Sequence, residues 1–300
     1  MKKIELIDFL KGYSIVTIIL FHYCQFLNLP SPFDKLIFFG GTGIHLFIVL
    51  SGLGLFMSFL HRPLNYSSFL RKRMGKIYFP YIIIVLLSAA IALIIPIYKN
   101  SIYALGGHIL LYKMFDETII GSYGYQLWFV SMILQFYLIF HLLVWLNRIT
   151  KRDSLFILIG IIISLGWSVF ITYIGVSELR IWNSFFLQYL WEFCLGMVIA
   201  KMIFNGRDFT PYAQKYRLLF VGVSCCIIYA SLTLIPGGYG KLFNDIPALF
   251  GYSCIALFFY LLKNPLINSF FLFSGKISYA LFLTHYLTLW IFAYLFENII

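Results

Sequence analysis

Residues 10–24 read LKGYSIVTIILFHYC, an apolar run that opens beside a lysine and closes beside a histidine. Extended to 7–27, it is long enough to cross roughly 30 Å of hydrocarbon as one helix. It has no small-residue cleavage site and merges into a full-length span, so it reads as a retained helix and not a removable leader. Lys11 and His22 stand eleven residues apart, which on a helix puts them on nearly the same face, about 16 Å apart along the axis. Asp8, one turn before Lys11, offsets its charge. An ionisable group within a membrane is costly and normally faces a protein interior or a wet cavity. Taken singly, His22 equally fits a packing histidine, and Lys11 fits a chain snorkelling to the inner surface.

The rest of the chain repeats the apolar theme. Of 300 residues, 62% are hydrophobic and 11% charged, with 33 Phe and 22 Tyr, and the mean hydropathy is +0.92. That composition cannot supply the polar coat of a soluble protein and suits lipid-facing helices with interfacial rings. Spans are expected at 7–27, 36–60, 77–98, 125–146, 154–174, 184–204, 218–235, 246–262 and 277–297. The expected fold is all-α: a polytopic integral membrane protein, a helical bundle of about 9–10 spans forming a single domain over 1–300. A shorter patch at 101–116, broken by Gly106 and Gly107, suggests an amphipathic or re-entrant helix on the outer face.

Charge gives an orientation. With the N-terminus cytoplasmic, 17 of the 22 Lys and Arg lie inside, leaving Lys35, Lys99, Lys113, Arg180 and Lys241 outside. This bias predicts a cytoplasmic N-terminus. The formal charge of +11 then describes topology, and no nucleic-acid partner is needed. The five cysteines lack metal-ligand or disulfide spacing and read as small apolar fillers.

Several segments bring chemistry-bearing groups into this apolar frame. In SSFLRKRMGKIYFPY, Ser67 to Tyr81, the cations Arg71, Lys72, Arg73 and Lys76 precede the third span, and Pro80 either bends the helix or marks its start. Such a cluster suits polyanionic phosphates, and equally suits anionic lipid heads. FFGGTGIHLFIVLSG, Phe38 to Gly52, surrounds His45 and Ser51 with glycines that permit close helix approach. His45 falls at a depth that brings it near His22, but two histidines without a further partner make a weak metal case, so no metal is expected. Trp128 and Gln135 share a helical face; a glutamine in hydrocarbon is interhelical glue or cavity lining. Glu192 is the only carboxylate near the middle of an expected span, and there it needs a cation, water or a proton. Ser278, Tyr279 and His285 mark the last span.

In this order the residues resemble the membrane acyltransferase-3 family, whose members modify bacterial surface and secreted glycans, usually by O-acetylation. Asp8, Lys11 and His22 resemble its opening Asp–x–x–Arg segment and the histidine that follows, with lysine in place of arginine. Gly43 to Phe47 with Ser51 and Gly52 is similar to its glycine-rich entry to span two, with His45 where aspartate is common. Arg73, Lys76, Ile77, Phe79, Pro80 and Tyr81 resemble its basic segment associated with acyl-coenzyme A, with Lys76 in place of the second arginine. Trp128, Phe129, Gln135, Phe136 and Tyr137 resemble its Trp–Phe and Phe–Tyr segment, with glutamine for glutamate. Glu192, Phe193 and Gly196, then Ile277, Ser278, Tyr279 and His285, are similar to its later motifs.

The resemblance implies transfer of an acyl group, usually acetyl, from cytosolic acyl-coenzyme A to a hydroxyl of a membrane-associated or extracytoplasmic glycan. His22 is then the base or acyl relay, with Lys11, Glu192 and Gln135 as further catalytic candidates. Lys11, Arg71, Arg73 and Lys76 would bind the donor, and Asp8, His45, Ser51, Trp128, Tyr137, Ser278 and His285 would line the cavity or meet the acceptor. Acetyl-CoA or another acyl-CoA is a substrate in this reading, and no tightly bound cofactor is expected. The partners are a glycan or lipid-linked glycan and membrane lipids, the setting is a bacterial cytoplasmic membrane, and the oligomeric state is left open. The rival reading is a transporter or flippase of a lipid-linked glycan, which the multiple spans and buried polar groups would also fit.

Overall fold

A computed structural model describes residues 5–25, 27, 30, 39–207, 215–233 and 243–297. Among them are twelve α-helices and no strand: α1 Glu5–Cys24, α2 Gly43–His61, α3 Tyr66–Ile91, α4 Ile102–Ile109, α5 Trp128–Thr150, α6 Asp153–Tyr173, α7 Arg180–Asn183, α8 Leu190–Phe204, α9 Lys215–Thr233, α10 Asp245–Leu261, α11 Pro265–Lys276 and α12 Ser278–Glu297. Eight helical segments are long and apolar enough to cross a membrane, and α10, with 17 residues, is a shorter apolar helix. Large apolar side chains such as Phe79, Ile83, Ile162, Phe220 and Ile227 are more than half exposed, which suits lipid and not water. The chain is thus a polytopic helical membrane protein. Lys2, Lys3, Lys35 and Lys241 of the charge pattern, and the start of the expected 36–60 span, lie outside the described residues.

Two boundaries differ from the apolar pattern for local reasons. The third span begins at Tyr66, because Asn65 accepts a hydrogen bond from Ser68 N at 2.9 Å and caps the helix. Pro80 therefore lies inside α3, and Arg71, Lys72, Arg73 and Lys76 form part of its first turns. The stretch before the last span forms a separate helix, α11. Asn264 caps it by accepting from Leu266 N and Ile267 N, and Pro265 occupies its first turn, where a missing N–H costs nothing.

The helices fall into two compact units, the first comprising 1–61, 157–165 and 189–281 and the second 62–156, 166–188 and 282–300. The first unit is centred on Phe9, Tyr13, Leu46, Val49, Leu50, Trp191, Leu249, Tyr252 and Ala256. Glycine sets its closest contacts. A Cβ on Gly196 of α8 would stand 2.0 Å from the Val49 carbonyl oxygen of α2, and one on Gly52 of α2 would stand 2.3 Å from that of Phe193. These helices run parallel, with 49 beside 196 and 45 beside 192. α1 runs the other way along α2, since Gly43 abuts Ser14 and Ile18 while Gly40 abuts Thr17 and Phe21.

The second unit packs on aromatic rings. Phe69 of α3 stacks on Phe140 of α5 at 4.8 Å between centroids, and Trp167 of α6 stacks on Trp182 of α7 at 5.7 Å. The segment at 101–116 contains α4 and a 3-10 turn at Tyr112–Phe115. Ala104, Gly107 and His108 of α4 are buried, and Ile102, Leu110 and Phe115 are exposed.

Candidate active site

In the first unit, α1 is unbroken from Glu5 to Cys24, so Lys11 and His22 keep the rise expected of eleven helical residues, about 16 Å. Asp8 is buried, while Lys11 and His22 are half-buried. The His22 ring lies 4.8 Å from that of Phe21. Midway along α1, Thr17 and Tyr252 of α10 share a hydrogen bond between hydroxyls, which fixes the two helices in register. Because α1 and α2 are antiparallel, His22 lies towards the end of this unit at which α2 begins.

His45 occupies the first turn of α2 at that same end. Its Nδ1 lies 2.6 Å from Glu192 Oε1 in the first turn of α8, and its Nε2 lies 3.8 Å from Asp245 Oδ1 at the start of α10. One donor atom from each of the three residues lies within 4.8 Å of the other two. Carboxylates are favoured at these helix N-termini, where unsatisfied N–H groups carry partial positive charge. Glu192 is fully buried, and its Oε2 has no hydrogen-bond partner. The sequence brought forward His45 and Glu192 separately. Asp245 carries no such signal, since a lone aspartate at a helix start looks like an ordinary N-terminal residue.

The second unit holds the basic segment. Arg71, Lys72 and Lys76 are exposed, whereas Arg73 is half-buried and folds its guanidinium over the Phe69 ring at 5.9 Å. Arg73 Nε is shielded from solvent and has no hydrogen-bond partner. Tyr137, buried on α5, lies 6.1 Å from Phe69 between ring centroids. Gln135 Oε1 accepts from Phe186 N at 3.2 Å and ties α5 to the 3-10 turn Phe186–Tyr189, while its Nε2 is buried without a partner. Trp128 receives the Arg180 guanidinium over its ring at 5.0 Å, and Tyr125 receives it at 4.9 Å.

Two of the remaining cavity candidates have local partners. Ser51 donates to Phe47 O within α2, and His285 Nδ1 lies 2.9 Å from Phe282 O within α12. Ser278 is buried at the start of α12. The expected residues therefore fall into two groups in different units. Asp8, Lys11, His22, His45, Ser51, Glu192 and Ser278 are in the first, and Arg71, Arg73, Lys76, Trp128, Gln135, Tyr137 and His285 are in the second.

Composition alone concealed a second polar cluster between α3 and α5. His108 is buried with Nδ1 2.7 Å from the Tyr81 hydroxyl and Nε2 2.9 Å from Ser122 Oγ. Ser122 donates its own proton to Ile119 O, so it accepts from His108 Nε2–H, and Tyr81 donates to Nδ1. Burial, then the nearby Lys113, pushes the His108 imidazole down to about 2. Lys113 is fully buried, its Nζ has no partner, and burial lowers its amine to about 7. Glu117, also unmarked in the sequence, accepts from the backbone N–H groups of Arg180 and Ile181 at 2.9 Å each and caps α7.

The family model described as an acyltransferase domain matches residues 4–300. No curated protein and no solved structure matches the chain.

Proposed function

The chain belongs to the acyltransferase family whose model it matches along nearly its whole length, and from that premise we propose that it transfers an acyl group, acetyl in the simplest case, from acyl-coenzyme A to a hydroxyl of a membrane-associated or extracytoplasmic glycan. The carrying observation is the family match, read together with a half-buried histidine on a membrane-length helix. His22 takes the acceptor proton, the hydroxyl oxygen attacks the thioester carbonyl, and the C–S bond breaks to release the coenzyme thiolate, which is then protonated. An imidazole suits this exchange because its ordinary pKa lies near neutrality.

In this proposal the donor's phosphates lie against Arg71, Arg73 and Lys76. The buried, unpartnered Nε of Arg73 supports an inward-facing anion contact, since a guanidinium N–H without a partner is costly. Glu192 and Gln135 contribute polarity to their respective units. The excess of Lys and Arg in the loops assigned to the inside supports a cytoplasmic N-terminus in a bacterial cytoplasmic membrane.

The test uses the full chain in nanodiscs with acetyl-CoA and isolated surface glycan, following free thiol release and glycan mass together. His22→Ala should lose about 10²- to 10⁴-fold in rate, the range for a positioned base. Arg73→Gln combined with Lys76→Gln should raise the KM for acetyl-CoA. Undiminished transfer by His22→Ala removes the base assignment. Acceptor movement without a mass change would favour transport over acylation.

A further inference from the structure

Three helices, α2, α8 and α10, begin at one end of the first unit and bring His45, Glu192 and Asp245 together. Their side chains are 11%, 0% and 21% exposed, so the cluster is shielded but open on the Asp245 side. With Glu192 ionised, its Oε1 can only accept, so His45 Nδ1 must donate across the 2.6 Å contact. In a neutral imidazole that leaves the Nε2 lone pair facing Asp245 Oδ1 at 3.8 Å. Two acceptors then face each other across a gap, in a bundle that also buries Glu192 Oε2 without a hydrogen bond. In that state the two carboxylates carry two negative charges beside the imidazole, a donor set that a bound cation would balance.

We propose that this cluster binds a divalent first-row transition cation, with Zn²⁺ as the best-suited probe. His45 Nε2 and Asp245 are the direct ligands, and Glu192 holds the imidazole in register through Nδ1–H. A carboxylate behind a metal-bound histidine is the usual way to fix its tautomer and orientation. The mixed nitrogen and oxygen donors suit zinc, and ligands on one tetrahedral zinc lie about 3.3–3.6 Å apart, so His45 and Asp245 need to close by only a few tenths of an ångström. One divalent charge neutralises both carboxylates. This donor set is invisible to sequence spacing, because its third member, Asp245, lies 53 positions beyond Glu192 and is joined to the other two only by the fold. The inference is independent of the acyl-transfer reading, and it is tested by metal content and stability.

Purified full-length protein, stripped with a chelator and dialysed, is equilibrated with micromolar Zn²⁺ and assayed by elemental mass spectrometry and thermal unfolding. The expected result is one zinc per chain and a melting temperature that rises with Zn²⁺, as required of a ligand that binds the native state. Asp245→Asn and His45→Ala should abolish stoichiometric uptake, and Glu192→Gln should weaken it by about 10- to 100-fold, the range for a partner behind a metal ligand. Wild-type protein that is monodisperse and folded yet takes up no zinc overturns the proposal. In that case a protonated His45 joins the two carboxylates by itself. Full zinc uptake by both Asp245→Asn and His45→Ala overturns it as well.

Discussion

Lys113 offers a stability measurement whose sign is fixed by its surroundings. Its ammonium group is fully buried in the segment between two spans, without a hydrogen-bond partner, and burial lowers its pKa from 10.5 to about 7. The unfolded chain therefore binds more protons than the folded one between about pH 7 and 10.5, and stability rises with pH across that window. Below pH 7 the folded protein must hold the charge, and the penalty is complete. A difference of 3.5 units, 10.5 minus 7, corresponds to about 5 kcal/mol at about 1.36 kcal/mol per unit. Lys113→Met keeps a flexible chain of similar length and removes the charge. At pH 6 the variant should be more stable than the wild type by several kcal/mol, a melting shift on the order of 10 °C for a chain of this size. Near pH 10.5 the two should coincide. Tryptophan fluorescence during heating at pH 6, 8 and 10 reads the difference directly. The folded-state depression of His108 makes stability rise with pH between about 2 and 6.5 in both proteins, so it largely cancels in the comparison. A melting difference that does not change with pH, or a variant less stable at every pH, would refute the account of a buried, unpaired amine.

The close contact of α2 with α8 predicts a large effect from a small change. A Cβ at Gly196 would lie 2.0 Å from Val49 O, so Gly196→Val must part the helices by more than about 1 Å, at a cost of about 1–3 kcal/mol. The same parting would stretch the 2.6 Å contact between His45 and Glu192 one turn away, and it is checked by a lower melting temperature together with weaker Zn²⁺ uptake. Glu117→Ala removes both acceptors from the first turn of α7 and should destabilise by about 1–2 kcal/mol, read by thermal unfolding.

The membrane bundle was legible because hydrocarbon imposes one rule over about twenty residues at a time, and runs such as 125–146 and 154–174 obey it without help from distant contacts. Boundaries set by single side chains were harder to read. Asn65 starts α3 about a turn before the first of its cations, and Asn264 with Pro265 starts α11 inside what read as a connection. The candidate site divides along the same line. Asp8, Lys11 and His22 share one helix, so their relation follows from the helical rise alone. The approach of His45 to Glu192 depends instead on two glycines 144 positions apart, Gly52 and Gly196, which no periodicity links.

That dependence also bears on how this end of the bundle can change. Where aspartate is common in the family that the sequence resembles, this chain has His45, and an aspartate there would put a third carboxylate beside Glu192 and Asp245. Imidazole replaces one of three mutually repelling charges with a group that donates to Glu192 and, when neutral, adds no charge of its own beside Asp245. Exchanging His45 for aspartate should therefore strain the contact of α2 with α8 unless a cation is supplied, so the variant's melting temperature should depend on divalent cation more steeply than the wild type's. A His45→Asp protein as stable as the wild type in chelator would show that the helix N-termini alone suffice to hold the charge.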